Sequence, residues 1–492
     1  MAEAQINSFG TSRPEPSVNG GAARLQRSVS WRSLVLLAVG AALQITVVMG
    51  AMAGELGNLH VLVWAGAALI GLVQCFFIAE LARHAPHRAG GAATYAQEAF
   101  GGRVSWVAAL SGWGYWFAWT PGIAVNLILA AEYLHSTVAP GVNTVLLSAA
   151  IGVVLYALNT LGLRHLMRVS AVLMVLAGLT LLALLVTPLL QPSLFDAGEL
   201  LPLSPPPDAE ASTWELLVKW FFVATWSAYG AEIAASIVAE LREPAAKVMR
   251  AMVTAGLVCL AAFAVVPIVM TGIVGAGGLG ESPSTVFLAP AEAVFGDAGR
   301  LIVGVMLACA LILGAQAYII ASSRTVYQLS QDAHLPRVFT RVNRFGVPVM
   351  SIFCDAAVIA VLLIIFGADV VNVVAAANIG YLVVFVLMPL SFVIVRLRRR
   401  RAGLPSVLHP AWTWIGVAVV AINALLLVVG AALWGVQIWL TGLIVMTLIF
   451  PLIWWRRWRD RVDADRRRGA AAELDPVSVP SVAAATGPIS EN

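Results

Sequence analysis

The stretch Trp220–Pro244, WFFVATWSAYGAEIAASIVAELREP, decides how this chain is read. It is long and apolar enough to cross a bilayer, since about 20 residues rising 1.5 Å each span a hydrocarbon core of roughly 30 Å. Gly230 and the acid Glu232 stand near its middle. An ionisable group at that depth costs roughly 3 kcal/mol or more unless it faces a protein interior or a wet cavity. Glycine weakens the helix at the same point, and an interrupted helix is tolerated in a membrane where it lines such a cavity. Two readings follow: one wall of a substrate site, or a buried Glu pinned by neighbouring hydroxyls or amides.

The rest of the chain fits a membrane interior. Of 492 residues, 60% are hydrophobic and 11% charged, against about a quarter charged in soluble domains. Twelve apolar runs can be counted, at about 33–53, 60–82, 104–131, 143–160, 168–190, 215–239, 249–273, 300–322, 349–366, 370–395, 413–433 and 435–455. None has the ten-residue alternation of an outer-membrane barrel, so the expected class is an all-α polytopic membrane protein. Cys75, Cys259, Cys309 and Cys354 fall within or at the ends of apolar runs, in no metal-ligand spacing, and read as packing residues. No metal or cofactor is expected. Residues 1–30 are polar, without the apolar core of a secretory signal, so the first helix is expected to serve as its own insertion signal.

With an even number of crossings both termini share a side. That side then holds 28 of the 30 Lys and Arg, leaving only Lys219 and Arg300 opposite; the positive-inside rule makes it cytoplasmic. Topology accounts for the arginine clusters without a nucleic-acid partner, the bilayer being the partner they face. Residues 1–30 and 459–492 are expected to be disordered cytoplasmic tails, 31–395 the core, and 396–458 two further helices. The loop Gln191–Thr213 reads as a solvated external connector, and the stretch 275–300 as either a lid helix or a connector. The first run, SLVLLAVGAALQITVVMGAMAG, mirrors the sixth: Gly40 and Ala41 are followed by Gln44 and Thr46 at membrane depth. Two interrupted helices, each opening a set of five, are the sequence pattern of an inverted-repeat transporter.

Three blocks carry more specific information: ELARHAPHRAGGAATYAQEAFG (Glu80–Gly101), AELREPAAKVMRAM (Ala239–Met252) and ASSRTVYQLSQDAHLPRVFTRVNRFGVPVMS (Ala321–Ser351). In order and position they resemble the amino acid–polyamine–organocation (APC) superfamily of permeases, over roughly residues 33–395. The resemblance implies a five-plus-five inverted repeat with helices 1 and 6 unwound around a central site. Backbone N–H groups at the first break would hold a substrate carboxylate, and carbonyls at the second its ammonium. WSAYGAE (Trp226–Glu232) is similar to the W-S-x-x-G-x-E of the family's exchangers, where the Trp packs on the substrate, the Gly marks the break and the Glu lies behind the gate. Trp226, Gly230 and Glu232 take those positions here, and Tyr229 between them is a further candidate to meet substrate. The Trp face suits an ammonium or guanidinium; core packing is its other reading.

Helix 1 departs from the family pattern. Where small residues are usual, this chain places Gln44, Ile45 and Thr46, whose bulk obstructs close backbone approach to a carboxylate. Either the Gln44 amide holds the carboxylate or the substrate is an amine without one. The position of a helix 5 Lys found in some proton-coupled relatives is Ala177, and Ser322 and Ser323 lie close to the end of helix 8. Glu232 therefore reads as the one deep carboxylate placed to carry a proton, and exchange would need no coupling ion. Asn126, Gln316 and Asn378 are further polar groups at depth, able to meet substrate or to staple helices. Arg83, Arg324 and Asp332 are placed to pair in an inner gate or to act as topology charges.

Together these readings point to a secondary transporter of amino acids or related amines in the cytoplasmic membrane. The alternative is a non-transporting sensor or partner subunit on the same fold. An intramembrane enzyme finds no support in HExxH, Ser/His or paired-Asp arrangements within the spans.

Overall fold

The architecture was taken from a computed structural model, which describes residues 25–473 except 26, 43, 87, 90, 102–103, 245, 282 and 367–369; side chains are further omitted at 39–42, 163–165, 177, 180, 181, 184, 246, 361–366 and 469–473. Its helices are α1 (Trp31–Ala42), α2 (Ile45–Leu56), α3 (His60–His84), α4 (Ala96–Phe100), α5 (Ser105–Thr137), α6 (Thr144–Asn159), α7 (Leu163–Leu190), α8 (Thr213–Ala228), α9 (Ala246–Glu281), α10 (Leu288–Gln331), α11 (Val349–Phe366), α12 (Val370–Arg401), α13 (Trp412–Leu425), α14 (Ala431–Leu433), α15 (Val436–Thr447) and α16 (Ile449–Glu473). Among the described residues there is no β-strand, only an isolated bridge between Val29 and Leu241. Among the described residues, eight helical stretches are long and apolar enough to cross a membrane, and three more apolar helices are shorter. The chain is an all-helical polytopic membrane protein.

Two segments change geometry part-way. α1 ends at Ala42 and α2 begins at Ile45, with Gln44 in a turn between them. α8 starts from a capping box in which the Ser212 hydroxyl and Glu215 carboxylate satisfy each other's backbone N–H, removing two of the orphan donors of a helix start. It stops at Ala228, and from Gly230 to Glu240 the chain continues as a 3-10 helix. Runs of that kind are normally three or four residues long and mark strain or a hinge. The Ser227 hydroxyl donates to the Gln44 carbonyl at 3.2 Å, joining the two changes of geometry directly.

Small residues let the surrounding helices close in. Gly114 of α5 and Gly380 of α12 meet backbone to backbone: a Cβ on either would lie 2.7 Å from the other's carbonyl oxygen. Such contacts are the usual basis of helix association in a solvent as apolar as the side chains themselves.

One end of the bundle gathers the arginines. Arg324 donates to Glu240 at 2.9 Å, Arg396 reaches both oxygens of Glu80 at 2.8 and 2.7 Å, and Arg88 pairs with Asp332. The expected trio of Arg83, Arg324 and Asp332 is thus corrected: Arg83 is exposed, and the other two pair with Glu240 and Arg88 instead. Residues 28 and 29 are joined to this end as well, both amides donating to the Glu240 carbonyl. The expected tail of residues 1–30 therefore includes ordered residues; 1–24 fall outside the described ones. The other expected tail, 459–492, is helical as far as Glu473 and beyond that lies outside the described residues. At the opposite end, helix extends on both sides of 282, through Glu281 and from Leu288, with bends at Gly275 and Gly296.

Candidate functional site

Four polar groups on three elements converge where the two altered segments meet. Gln44 is fully buried in the turn between α1 and α2, and neither its amide nitrogen nor its oxygen has a protein hydrogen-bond partner. Asn126 on α5 gives its Nδ2 to the Gly122 carbonyl at 2.8 Å, leaving Oδ1 unpaired. Both side chains reach Gly314 on α10: a Cβ there would collide with Gln44 Nε2 and come within 2.9 Å of Asn126 Oδ1. Glycine at 314 is what leaves room for them. The Trp119 indole N–H and Tyr318 hydroxyl are also buried without a partner. A buried donor or acceptor left unpaired costs about 1–3 kcal/mol, a cost that a polar partner would relieve.

Aromatic rings pack around this cluster. Trp119 stacks on Tyr318 with centroids 4.4 Å apart and lies 6.0 Å from Trp226, which is 5.8 Å from Tyr318. Trp226 is pressed onto Gly122, where a Cβ would approach its ring to 2.7 Å, and its indole N–H donates to the Ala118 carbonyl at 3.3 Å. The faces presented are electron-rich and suited to a cation.

Glu232 sits on the 3-10 segment with Tyr115 Oη donating to one carboxylate oxygen at 2.9 Å and Tyr381 Oη to the other at 3.3 Å. Tyr381 packs edge-on against Trp119 at 4.7 Å, and Tyr115 does so at 5.8 Å. The carboxylate is thus one aromatic layer away from the polar gap. Neutral hydroxyls, rather than a cation, solvate it.

The other sequence-nominated residues are distributed more widely. Thr46 is buried in the first turn of α2. Gly40 and Ala41 lie in the last turn of α1, their side-chain positions outside the described residues. Gly230 opens the 3-10 segment. Tyr229 turns away from the gap, its hydroxyl donating to Asn423 Oδ1 at 2.9 Å and its ring on Phe385 at 5.0 Å. Asn378 donates to the Phe222 carbonyl at 2.5 Å and contacts the Thr225 hydroxyl, stapling α12 to α8. Gln316 staples α10 to α7 through Leu166 O and Ser170 Oγ.

Glu232 is not the one deep carboxylate. Asp355 on α11 is fully buried, accepting from Ser322 Oγ at 2.6 Å and Trp116 Nε1 at 2.7 Å. The signal was an acid six residues into an apolar helix, in SIFCDAAV. Trp119, Tyr318, Tyr115 and Tyr381 were also missed, because an aromatic in an apolar run looks like ordinary packing until its neighbours are known.

An all-helical membrane bundle with two interrupted segments joined at a buried polar cluster fits one class, that of membrane transport proteins. Comparison with known proteins makes this specific: residues 29–451 match the family described as Amino acid permease. The chain belongs to the amino acid permease family. It is similar to an uncharacterized amino acid permease, YvbW, of Bacillus subtilis, at 23% identity over 82% of this chain and 91% of that protein. The lysine-specific permease LysP of Escherichia coli is 25% identical over 68% of this chain and 70% of its own. The gamma-aminobutyric acid permease of the same organism is 23% identical over 83% and 89%.

Proposed function

We propose that this amino acid permease is a secondary transporter that moves amino acids or related amines across the cytoplasmic membrane by alternating access. In this reading the chain crosses twelve times, with both termini and the arginine-rich end cytoplasmic, and its first ten crossings form two inverted sets of five. The observation that carries it is the cluster of unpartnered buried amide atoms of Gln44 and Asn126 at Gly314, beside Trp226 and at the junction of the two interrupted segments. Half-helix ends pointing into such a gap supply dipoles for a charged solute. Gly40, Ala41, Gln44, Thr46 and Asn126 would meet the substrate's polar end; Trp226, Trp119 and Tyr318 would face its ammonium. Gly230 provides the hinge, while Tyr229 and Asn378 fix the helices around it. Two relatives are named for lysine and gamma-aminobutyric acid, solutes that carry the ammonium the aromatic walls suit. Glu232, behind those walls, is the group placed to exchange a proton as the gate moves, and Asp355 is a second buried acid available to that role.

Purified protein in a thermal-shift panel of amino acids, polyamines and small amines identifies ligands, which raise the melting temperature by mass action. Vesicle counterflow with the hits then tests flux. Gly314→Ala displaces the Gln44 and Asn126 amides, which are flexible side-chain ends, so flux should fall about 100-fold, equivalent to about 2.7 kcal/mol, with little change in melting temperature. Normal counterflow by this variant would remove the site. Binding without counterflow in the unsubstituted protein would favour a sensor.

A further inference from the structure

The last helix carries a second built feature, remote from the gap. Arg456 is buried and donates to the Leu335 carbonyl and, at 2.8 Å, to Asp460, which also receives Arg337 at 2.9 Å. Those bonds, with buried Ile453, fix the rotation of α16. The side turned outward is then Phe450, Trp454, Arg457, Trp458 and Arg461, which at spacings of three, four and seven lie along one stripe. Trp106, at the start of α5, faces the stripe with its ring 6.1 Å from Phe450. Between them lies a groove of about 560 Å³. Its lining is aromatic and aliphatic apart from Arg457 and Arg461, both on α16. Arg457 is oriented by a 3.3 Å bond to Ser105 Oγ, and both arginines are exposed.

We infer that this groove binds one anionic phospholipid, its phosphate on Arg457 and Arg461 and its acyl chain over Trp106, Phe450 and Trp454. Along the helix Phe450, Ile453 and Trp454 come before Arg457, Trp458 and Arg461, so the uncharged half of the lining leads into the cationic half as a lipid tail leads into its headgroup. Tryptophan favours that boundary and arginine the anionic surface beyond it. A second copy of the chain would bring like charges together at the rim. A soluble phosphate would leave the aromatic floor unused. The inference does not depend on the transport reading.

The test is a native mass-spectrometric titration of full-length, delipidated protein with phosphatidylglycerol. One tight site is expected, with phosphatidylcholine binding at least tenfold more weakly. Arg457→Gln/Arg461→Gln should weaken phosphatidylglycerol about 30-fold, the loss of two arginine–phosphate contacts. Arg459→Gln/Arg466→Gln removes the same charge from the opposite side of the same helix and should leave binding within twofold. Equal weakening by both pairs, or the lack of a tight site, overturns the inference. Competition by glycerol phosphate at the lipid's own concentration overturns the lipid assignment in favour of a soluble phosphate.

Discussion

Glu80 and Glu240, at the arginine-rich end, are buried as deeply as Gln44 and Asn126 in the middle. Each of the two carboxylates receives a guanidinium, whereas the two amides keep atoms with no protein partner. These two carboxylates are satisfied, and the two amides are left open. A saturated buried pair fixes how helices meet, and an open cluster carries an energetic cost that a guest can relieve. The difference separates contacts that hold helices together from polar atoms left without a protein partner, and it can be attacked from both sides.

The largest effect should come from breaking a saturated pair. Arg396→Leu leaves Glu80 without its guanidinium and should cost about 3–5 kcal/mol. Thermal unfolding in detergent reads this; an unchanged midpoint would show that the pair is decoration. Next is the pH response of the same end. His334 lies in the turn after α10 and is held by burial, chiefly, to a pKa of about 4, with Arg457, Arg88 and Arg456 nearby acting in the same direction and Asp332 opposing. Its folded value is below the unfolded 6.5, so the unfolded state binds more protons between them. Stability is complete above about pH 6.5 and is lost as the pH falls towards 4, by up to about 3 kcal/mol. His334→Gln should flatten the melting-temperature curve in that window, and identical curves would refute the assignment. The smallest effect belongs to the open cluster. Gln44→Leu removes two unpaired buried atoms and should leave stability unchanged or raise it by about 1 kcal/mol, while ligand binding falls about tenfold. Destabilisation by this substitution would mean that the amide is structural after all, and would erase the contrast.

The amino-acid sequence exposes these two regions unequally. Gly230 within an apolar run and polar Gln44 and Thr46 within another are local signals, and the helices do change course at both places. Partnerships are different. Arg396 meets Glu80 across 316 positions, and Tyr115 meets Glu232 across 117. Helix rotation and crossing decide such pairs, and neither leaves a periodicity to read. Asp355 was legible as a charge in an apolar helix; that Ser322 and Trp116 would enclose it was not. Gly314 shows the limit most plainly, since only the approach of two amides distinguishes it from any other packing glycine.

The short pairing of Ser28 and Val29 with Glu240 and Arg242 has a mechanical meaning. Glu240 ends the second altered segment, residues 28–30 lead straight into the first, and the Glu240 side chain holds Arg324 of α10. Three walls of the gap are thus knotted at one residue, far from any solute. Loosening that knot would free all three elements at once, so they are held as one unit instead of separately.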